Sequence, residues 1–270
     1  MEDTPGPIST VRGRWFDATP HGKQGVTERY VVYGESRRWL LGQLNLKNTD
    51  FVLDLGSGHG FLAYELASRT GSKIVGLDLL GGEQMGTAAR GGILAGLSKA
   101  IDWVVGDASK APFSAGTFDT IVSFLGLEDV HITGGVGAMD KVIRESARVL
   151  KSDGTLAIAD NTFPECASNA GQRLYLEILR KELGAQLPSK SFLIETMEGS
   201  GFEDIETATY DPKIILDERE AHIELSDIAE AEPFGKHLDI EEIWERYGDR
   251  IRKSGLEYPL ILLLSARKSS

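Results

Sequence analysis

The sequence predicts an α/β fold in which a mostly parallel, seven-stranded sheet carries helices on both faces. Between positions 51 and 159, short apolar runs alternate with stretches that have helical periodicity. This alternation is the pattern of consecutive strand–helix–strand units, in which right-handed crossovers make neighbouring strands parallel. Two further apolar runs near the carboxyl end, after helical stretches, bring the sheet to seven strands.

The expected elements follow from the periodicity of apolar residues and from glycines at their ends. Strands are expected at 51–55, 73–77, 101–105, 118–123, 155–159, 203–210 and 258–264. Helices are expected at 61–68, 83–97, 139–150, 168–184, 192–198 and 240–251, after one or two helices between 26 and 44.

The chain divides into an amino-terminal arm and one main domain. Residues 1–45 are rich in Gly, Pro and Thr at first and then helical, and we interpret them as an arm or lid. Residues 46–270 form the main domain, with insertions at about 161–190 and 211–256. Loops on a rigid scaffold generally carry specificity, so we expect the arm and both insertions to roof a site.

Composition narrows the class of partner and the compartment. A net charge of -12 disfavours binding to a nucleic acid backbone, which requires basic residues. No apolar run is long enough to span a membrane, and the first seven residues do not form a secretory signal. The single cysteine, Cys166, forms no intramolecular disulfide and cannot supply a thiolate zinc site. We therefore expect a cytoplasmic protein with no metal and leave a homodimer open.

A glycine-rich loop directly follows the first strand. It contains Asp54, Gly56, Ser57, Gly58 and Gly60 and directly precedes a helix. In open parallel sheets this loop binds a nucleotide-type cofactor, because glycines let backbone approach the ligand. A dinucleotide fingerprint would need a third glycine at position 61, which is Phe61.

Further acids follow the second and third strands. Asp78 ends the second strand, at the place where a carboxylate can bind ribose hydroxyls. Asp107 follows the third strand within Gly106–Ala108, and Pro112–Phe113 and Phe118–Asp119 come next. A carboxylate at the position of Asp78 occurs in proteins that bind nicotinamide cofactors and in proteins that bind adenosyl cofactors, so it does not discriminate by itself. The features after the third strand, and the order of all these motifs along the chain, discriminate better.

In that order, together with Arg148–Leu156, the motifs resemble the class I S-adenosylmethionine-dependent methyltransferases. The resemblance is to the small-molecule group that includes ubiquinone and menaquinone biosynthesis enzymes, called methyltransferase type 11, and it covers about residues 51–160. It implies a Rossmann-like fold, S-adenosylmethionine as cofactor, S-adenosylhomocysteine as product and a small-molecule methyl acceptor.

The resemblance also implies roles for individual residues. Asp54 and the loop backbone would surround the methionine part of the cofactor, and Asp78 would bind the ribose. Leu79, Asp107 and Ala108 would surround the adenine, whereas Phe124 and Leu125 would line the methionine end. Taken singly, Asp54 could instead be a capping acid and Asp107 a turn residue.

Candidates for acting on the substrate follow the fourth strand and lie in the arm. His131 is a candidate general base, because imidazole titrates near neutrality, and Glu128 and Asp129 precede it. The alternatives are a histidine bonded to its own backbone and solvated or capping acids. Tyr30, Tyr33 and Trp39 are candidate substrate-binding residues, with core packing as the alternative for these three aromatic residues.

The predicted function is methyl transfer to a small molecule by in-line displacement. Three alternatives remain open on the sequence alone: a nicotinamide-dependent oxidoreductase, a protein or RNA methyltransferase, and a non-catalytic methyltransferase-like binding module. Phe61 argues against the oxidoreductase, and the acidic balance argues against RNA.

Overall fold

The fold is taken from a computed structural model, which describes residues 24–79, 83–127, 129–130, 137–230 and 238–270. Its strands are β1 (Phe51–Leu55), β2 (Lys73–Asp78), β3 (Ile101–Val105), β4 (Phe118–Phe124), β5 (Leu150–Asp160), β6 (Phe202–Tyr210), β7 (Ile215–Leu216), β8 (Leu256–Glu257) and β9 (Ile261–Lys268). Its helices are α1 (Gln24–Gln43), α2 (Phe61–Thr70), α3 (Glu83–Leu94), α4 (Ala138–Val149), α5 (Ala170–Ile178), α6 (Lys190–Gly199), α7 (Glu218–Glu230) and α8 (Ile240–Ser254).

The main sheet has seven strands in the order β3-β2-β1-β4-β5-β9-β6. Strands β3, β2, β1, β4 and β5 are parallel, and β9 runs antiparallel to both β5 and β6. From β1 the strand order runs towards one edge of the sheet through β2 and β3, and then towards the other edge from β4. The order therefore reverses between β1 and β4, which is the topological switch point where such sheets bind ligands. The predicted α/β, mostly parallel sheet is confirmed.

Helices cover both faces of the sheet. On one face, α4 and α6 pack against the strands through Ile143, Leu193 and Met197, which are all nearly inaccessible to water. The other face packs α1 and α2 through Leu40 and Leu66, which are fully buried. Each helix therefore has a fixed position relative to the strand ends, and these ends hold the candidate site.

A third apolar cluster lies outside the main sheet and joins the two segments that were predicted to be insertions. It contains Tyr175 and Ile178 from α5, Leu225 from α7 and Tyr247 from α8, together with Tyr258 before β9. We call this cluster the cap. Tyr33 of α1 packs against it.

Several predicted boundaries were wrong. β5 begins at residue 150 rather than 155, because its first residues pair with the start of β4 through Phe118 and Leu150. The closing strand is shifted to Ile261–Lys268, where it pairs with both β5 and β6. The predicted helix at 168–184 is α-helical only as Ala170–Ile178, and a π-helical turn, Leu179–Leu183, follows it.

Helix α7 was not predicted, although the sequence contains a signal for it. Asp217 and Glu220 form a reciprocal capping box, in which each side chain accepts a hydrogen bond from the backbone N–H of the other. Because this arrangement satisfies two otherwise unpaired donors, it fixes the start of the helix. Within the ranges given above, no helix has the length and apolar character required to span a membrane.

Candidate functional site

The loop between β1 and α2 is a tight, glycine-dependent turn. Gly56, Gly58 and Gly60 have φ angles of 74°, 50° and 83°, a region that residues with a Cβ rarely adopt. The backbone N–H groups of Gly56 and Ser57 donate to the carbonyl of Leu77 at the end of β2, at 2.9 and 3.0 Å. The loop is thereby held across the carboxyl ends of β1 and β2.

Trp103 of β3 packs beneath this loop. A Cβ on Gly60 would overlap the Trp103 ring, and a Cβ on Gly76 of β2 would lie 2.6 Å from two of its ring carbons. The ring also meets Tyr64 of α2 edge-on, at 5.9 Å between centroids. Two glycines therefore serve close packing of the indole, which the sequence analysis did not foresee.

Asp54 is a buried carboxyl group at the end of β1. Its side chain is 1% exposed, and the atom Oδ2 has no hydrogen-bond partner within the part of the chain that the structure describes. Burial raises the pKa of Asp54 to about 8. A hydrogen bond from the Ala63 backbone opposes this rise, and the negative charge of Asp78 adds to it. The positive charge of Arg37 acts in the opposite direction. A cation at Oδ2 would compensate this carboxylate.

Asp78 and the segments after β2 and β3 form the next part of the site. The backbone N–H of Gly58 donates to Asp78 Oδ2 at 2.7 Å, which links the glycine loop to β2. Leu79 is 51% exposed, and Val105, which pairs with Asp78 in the sheet register, is 55% exposed. Two exposed apolar side chains at neighbouring strand ends offer a surface for a flat ring.

Asp107 begins a short 3-10 turn, Ala108–Lys110. Its side chain is exposed and accepts a hydrogen bond from the backbone N–H of Ser109 at 2.8 Å. This is the turn-acid alternative considered for Asp107. It is compatible with a ligand contact, since a carboxylate has further acceptor positions.

The segment after β4 has an unusual backbone. Leu125 has φ of 52°, a left-handed conformation that costs a residue with a Cβ about 1 kcal/mol or more. Its N–H donates to the carbonyl of Ala159 on β5 at 2.8 Å. Phe124 and Leu125 are half-buried, and together they turn the chain away from the sheet edge.

Asp129 lies in the helical turn that follows. Desolvation, followed by the negative charges of Asp160 and Asp78, raises the pKa of Asp129 to about 7. Residue 129 is nevertheless exposed to water, which leaves its carboxyl group accessible to a ligand. His131 and Glu128, the other two candidates from this segment, lie outside the described residues.

The aromatic candidates of α1 have different environments. Tyr33 meets Phe124 at 6.0 Å and Tyr258 at 5.4 Å between ring centroids, so it bridges the end of β4 and the cap. Trp39 instead packs against Tyr210 of β6, at 5.3 Å, three strands away from β4. This position favours the packing alternative for Trp39.

The backbone of Tyr30 belongs to α1, but its side chain lies outside the described part of the structure. Binding of substrate by Tyr30 stays a prediction.

A buried ion pair anchors α1 beside the site. The Arg37 Nε donates to Glu65 Oε1 of α2 at 3.1 Å, and both side chains are at most 4% exposed. The Arg37 guanidinium also lies 5.5 Å from the centroid of the Phe61 ring. Arg37 is therefore an internal residue.

Asp160 is a site residue that the sequence analysis missed. It is fully buried at the end of β5, and its Oδ2 accepts the backbone N–H of Leu127 at 2.7 Å. The only available signal was its place at the carboxyl end of a strand in the predicted sheet. Ser123, at the end of β4, was missed as well and has a buried hydroxyl with no partner among the described residues.

Comparison with known proteins places these features in a family. Residues 53–158 match the family described as "Methyltransferase domain". The demethylmenaquinone methyltransferase of Mycolicibacterium gilvum is 31% identical over 194 residues, which are 71% of this chain and 75% of that protein.

Two further proteins are similar. The chloroplastic 2-phytyl-1,4-beta-naphthoquinone methyltransferase of Arabidopsis thaliana is 35% identical over 136 residues, 47% of this chain and 49% of that protein. The crystal structure of the YcgJ protein of Bacillus subtilis superimposes with a TM-score of 0.66 at 17% identity, over 87% of this chain and 99% of that one.

The strand order, the glycine loop at the switch point and the match to the quinone methyltransferases agree. This chain belongs to the class I S-adenosylmethionine-dependent methyltransferases, and it is an enzyme that transfers methyl groups to small molecules.

Proposed function

We propose that the chain holds S-adenosylmethionine at the carboxyl ends of β1, β2 and β3 and methylates a reduced naphthoquinone-type ring. The observation that carries the cofactor assignment is the buried Asp54 carboxyl, whose Oδ2 lacks a partner among the described residues. A partnerless buried acid is costly unless a ligand completes it. The α-ammonium of the methionine part is the group that suits this oxygen.

The glycine loop fits the remainder of the methionine part. Gly56 and Gly58 adopt positive φ, and a Cβ built on Gly56 would meet only the Cα of Gly126, at 4.0 Å. We assign the backbone of Gly56, Ser57, Gly58 and Gly60 to one wall around the methionine part, where the three glycines present no side chains. We assign Phe124 and Leu125 to the opposite wall.

The ribose and adenine would occupy the ends of β2 and β3. We assign Asp78 to the ribose hydroxyls, Asp107 and the Ala108 backbone to the polar edge of adenine, and Leu79 to a ring face. The exposure of Leu79 supports the last assignment, since an apolar residue at 51% exposure gains most when a ring covers it.

The acceptor class is suggested by the relatives, whose names specify demethylmenaquinone and 2-phytyl-1,4-naphthoquinone. The chain supports this with two half-buried rings, Phe124 and Tyr33, which meet at the end of β4, and with the buried Tyr258 and Tyr175 of the cap packed behind Tyr33. Aromatic walls suit a flat bicyclic ring through offset stacking. We therefore propose that the cap and α1 together form the acceptor side, with Tyr30 as a further candidate on α1.

S-adenosylmethionine supplies an electrophilic methyl group on a sulfonium, which is a good leaving group. The hydroquinone form is the better acceptor, because its hydroxyl groups donate electron density to the ring carbon that forms the new bond to the methyl. Formation of the bond between the ring carbon and the methyl would release S-adenosylhomocysteine and leave that carbon tetrahedral, so its hydrogen would have to leave as a proton to restore the aromatic ring. The enzyme needs to align the ring, exclude water and accept that proton.

Asp129 is the described residue best suited to accept this proton. A carboxylate whose pKa is near 7 is balanced between its two protonation states at neutral pH, which favours general base catalysis. His131 and Glu128 remain candidates for the same role on the sequence evidence. Substitution of each in turn by Gln or Asn separates the three.

Cofactor binding is tested first, by thermal unfolding with S-adenosylmethionine, S-adenosylhomocysteine, NAD and NADP at equal excess. At about a hundredfold excess over the dissociation constant, a ligand stabilises the folded state by about 2.7 kcal/mol. We expect a rise of a few degrees in Tm with the adenosylmethionine pair alone. A rise with NAD or NADP instead would contradict the proposal.

The acceptor class is tested with purified enzyme, S-adenosylmethionine and two forms of one acceptor that differ only in oxidation state. Dithionite-reduced 2-phytyl-1,4-naphthoquinone should gain one methyl group by mass spectrometry, and its oxidised form should not. Methylation of neither form, with normal cofactor binding, would exclude this acceptor class and leave the acceptor to be sought among other small molecules.

A further inference from the structure

The carboxylate of Asp160 ties together two segments at the carboxyl edge of the sheet. Its Oδ2 accepts the N–H of Leu127 at 2.7 Å, and its Oδ1 accepts the N–H of Asn161, also at 2.7 Å. Both oxygens thus face backbone donors, and the group is 0% exposed. An amide at this position would have to direct an NH2 group at one of these donors, so only a carboxylate satisfies both.

The Leu127 N–H begins the turn that carries Asp129. Leu125 is held in the left-handed conformation, and Val130 N–H donates to the Gly126 carbonyl at 3.1 Å, which closes one helical turn. Asp160 therefore binds the first N–H of that turn from a neighbouring strand, in the way a capping residue does. The same arrangement gives the anionic side chain a favourable position at a helical amino terminus.

Asp160 is itself firmly placed. It pairs with Leu262 in the β5–β9 register, and its carbonyl accepts a weak hydrogen bond from the Cys166 thiol at 3.8 Å. The adjacent Asn161 donates through Nδ2 to the Leu260 carbonyl at 2.9 Å. The orientation of the Asp160 side chain is therefore fixed before any ligand binds, as preorganised sites require.

We propose that Asp160 is a positioning residue for methyl transfer: it fixes the turn that contains Leu127, Asp129 and Val130 and holds Asp129 on the acceptor side of the site. The proposal rests on the proposed function in one respect, the assignment of this turn to the acceptor side. Asp160 would not touch the cofactor or the acceptor, and it would act through Asp129.

Charge supports the same role. Desolvation and then the negative charge of Asp160 raise the pKa of Asp129, with Asp78 as the other contributing carboxylate. The Asp160 charge also raises the pKa of the buried Cys166 thiol, after the larger effect of burial. Neutralising Asp160 removes one of the like charges near Asp129 and should lower the pKa of Asp129.

The experiment compares wild type with Asp160→Asn. We expect S-adenosylhomocysteine to bind with a dissociation constant within about threefold of wild type, because Asp160 lies on β5, two strands from the glycine loop. Turnover of dithionite-reduced 2-phytyl-1,4-naphthoquinone should fall about a hundredfold, as for small misplacements of reacting groups. The acidic limb of its pH profile should move to lower pH.

Two companion variants separate positioning from folding. Asp160→Glu retains the charge and should keep the acidic limb near its wild-type pH, with turnover above that of Asp160→Asn. Asp129→Asn removes the group through which Asp160 acts. The double variant Asp129→Asn/Asp160→Asn should therefore have the same acidic limb in its pH profile as Asp129→Asn alone.

A readout without turnover keeps this test independent of the acceptor. Amide hydrogen exchange at Leu127 should be faster in Asp160→Asn than in wild type, and the carboxyl carbon of Asp129 should titrate at lower pH by NMR. If wild type binds S-adenosylhomocysteine but methylates no naphthoquinol, the acceptor proposal fails, and these two readouts decide on Asp160 alone.

Two results would overturn the proposal. One is wild-type exchange at Leu127 and an unshifted Asp129 titration in Asp160→Asn. The other is a loss of S-adenosylhomocysteine affinity equal to the loss of turnover, with a lowered Tm in both the Asn and Glu variants, which would assign Asp160 a general structural role.

Discussion

Binding of S-adenosylhomocysteine should depend on pH through Asp54. In the ligand-free protein the pKa of Asp54 is raised to about 8, chiefly by burial, so the group holds a proton at neutral pH. The ammonium of the ligand should favour the ionised form, since an adjacent positive charge lowers a carboxyl pKa. Binding therefore releases a proton, and affinity rises with pH.

The magnitude follows from the shifted pKa. Well below pH 8, the ionised fraction of Asp54 rises about tenfold for each pH unit. Between about pH 5.5 and pH 7.0, where an α-ammonium remains largely protonated, we expect affinity to rise about thirtyfold. Asp54→Asn cannot ionise and should show weaker binding at pH 7.0 with little pH dependence.

The stability of the ligand-free protein should change with pH in the direction opposite to that of ligand affinity. The pKa of Asp54 is higher in the folded protein than its model value of 3.8, so the folded protein holds more protons than the unfolded chain between these values. The contribution of Asp54 to the stability of the ligand-free protein is therefore fully present below about pH 4 and is lost as pH rises through about 8. Bound ligand should reduce this loss.

The assay is isothermal titration calorimetry with S-adenosylhomocysteine in two buffers of different ionisation enthalpy. The difference in apparent enthalpy measures the protons released, which should approach one for wild type and zero for Asp54→Asn. Asp249→Asn, at a side chain that is 95% exposed on α8, is the matched control and should behave as wild type. Equal affinity at both pH values with no proton release would refute the reasoning about Asp54.

Two further predictions concern the support of the site, and both are measured as the free energy of unfolding in denaturant. Gly76→Ala places a Cβ 2.6 Å from Trp103 and should cost about 1–3 kcal/mol, whereas Gly42→Ala on α1, with nothing within 4 Å, should be neutral or stabilising; equal effects would contradict the packing argument. Arg37→Met leaves Glu65 buried without its ion-pair partner and should cost about 3–5 kcal/mol, most of which the added change Glu65→Leu should restore; no recovery in the double variant would show that Arg37 acts through other contacts.

The parallel sheet and the glycine loop were predictable because both depend on local patterns. The alternation of strands and helices is visible in apolar periodicity, and the loop requires residues without a Cβ at Gly56 and Gly58. The boundaries of β5 and β9 were not predictable in this way. Those strands extend because each finds a neighbour in the sheet, and such pairing depends on the tertiary fold.

The site itself was predictable only in part. Asp54 and Asp78 follow from position in the motif, but the burial that raises the pKa of Asp54 depends on the tertiary fold. Arg37 and Asp160 carried no local signal, since an arginine in a charged helix and an acid at a strand end are common. Their roles follow from what packs around them.

Transfer of a methyl group from S-adenosylmethionine to a reduced naphthoquinone by the site around Asp54 can be followed with an isotope label. The enzyme is incubated with S-adenosylmethionine bearing a deuterated methyl and dithionite-reduced 2-phytyl-1,4-naphthoquinone, with Asp54→Asn in parallel. We expect wild type to form a product that carries the intact deuterated methyl on a ring carbon, and the variant to form much less of it at pH 7. Formation of equal amounts by both proteins, or no labelled product from a wild type that binds the cofactor, would contradict this expectation.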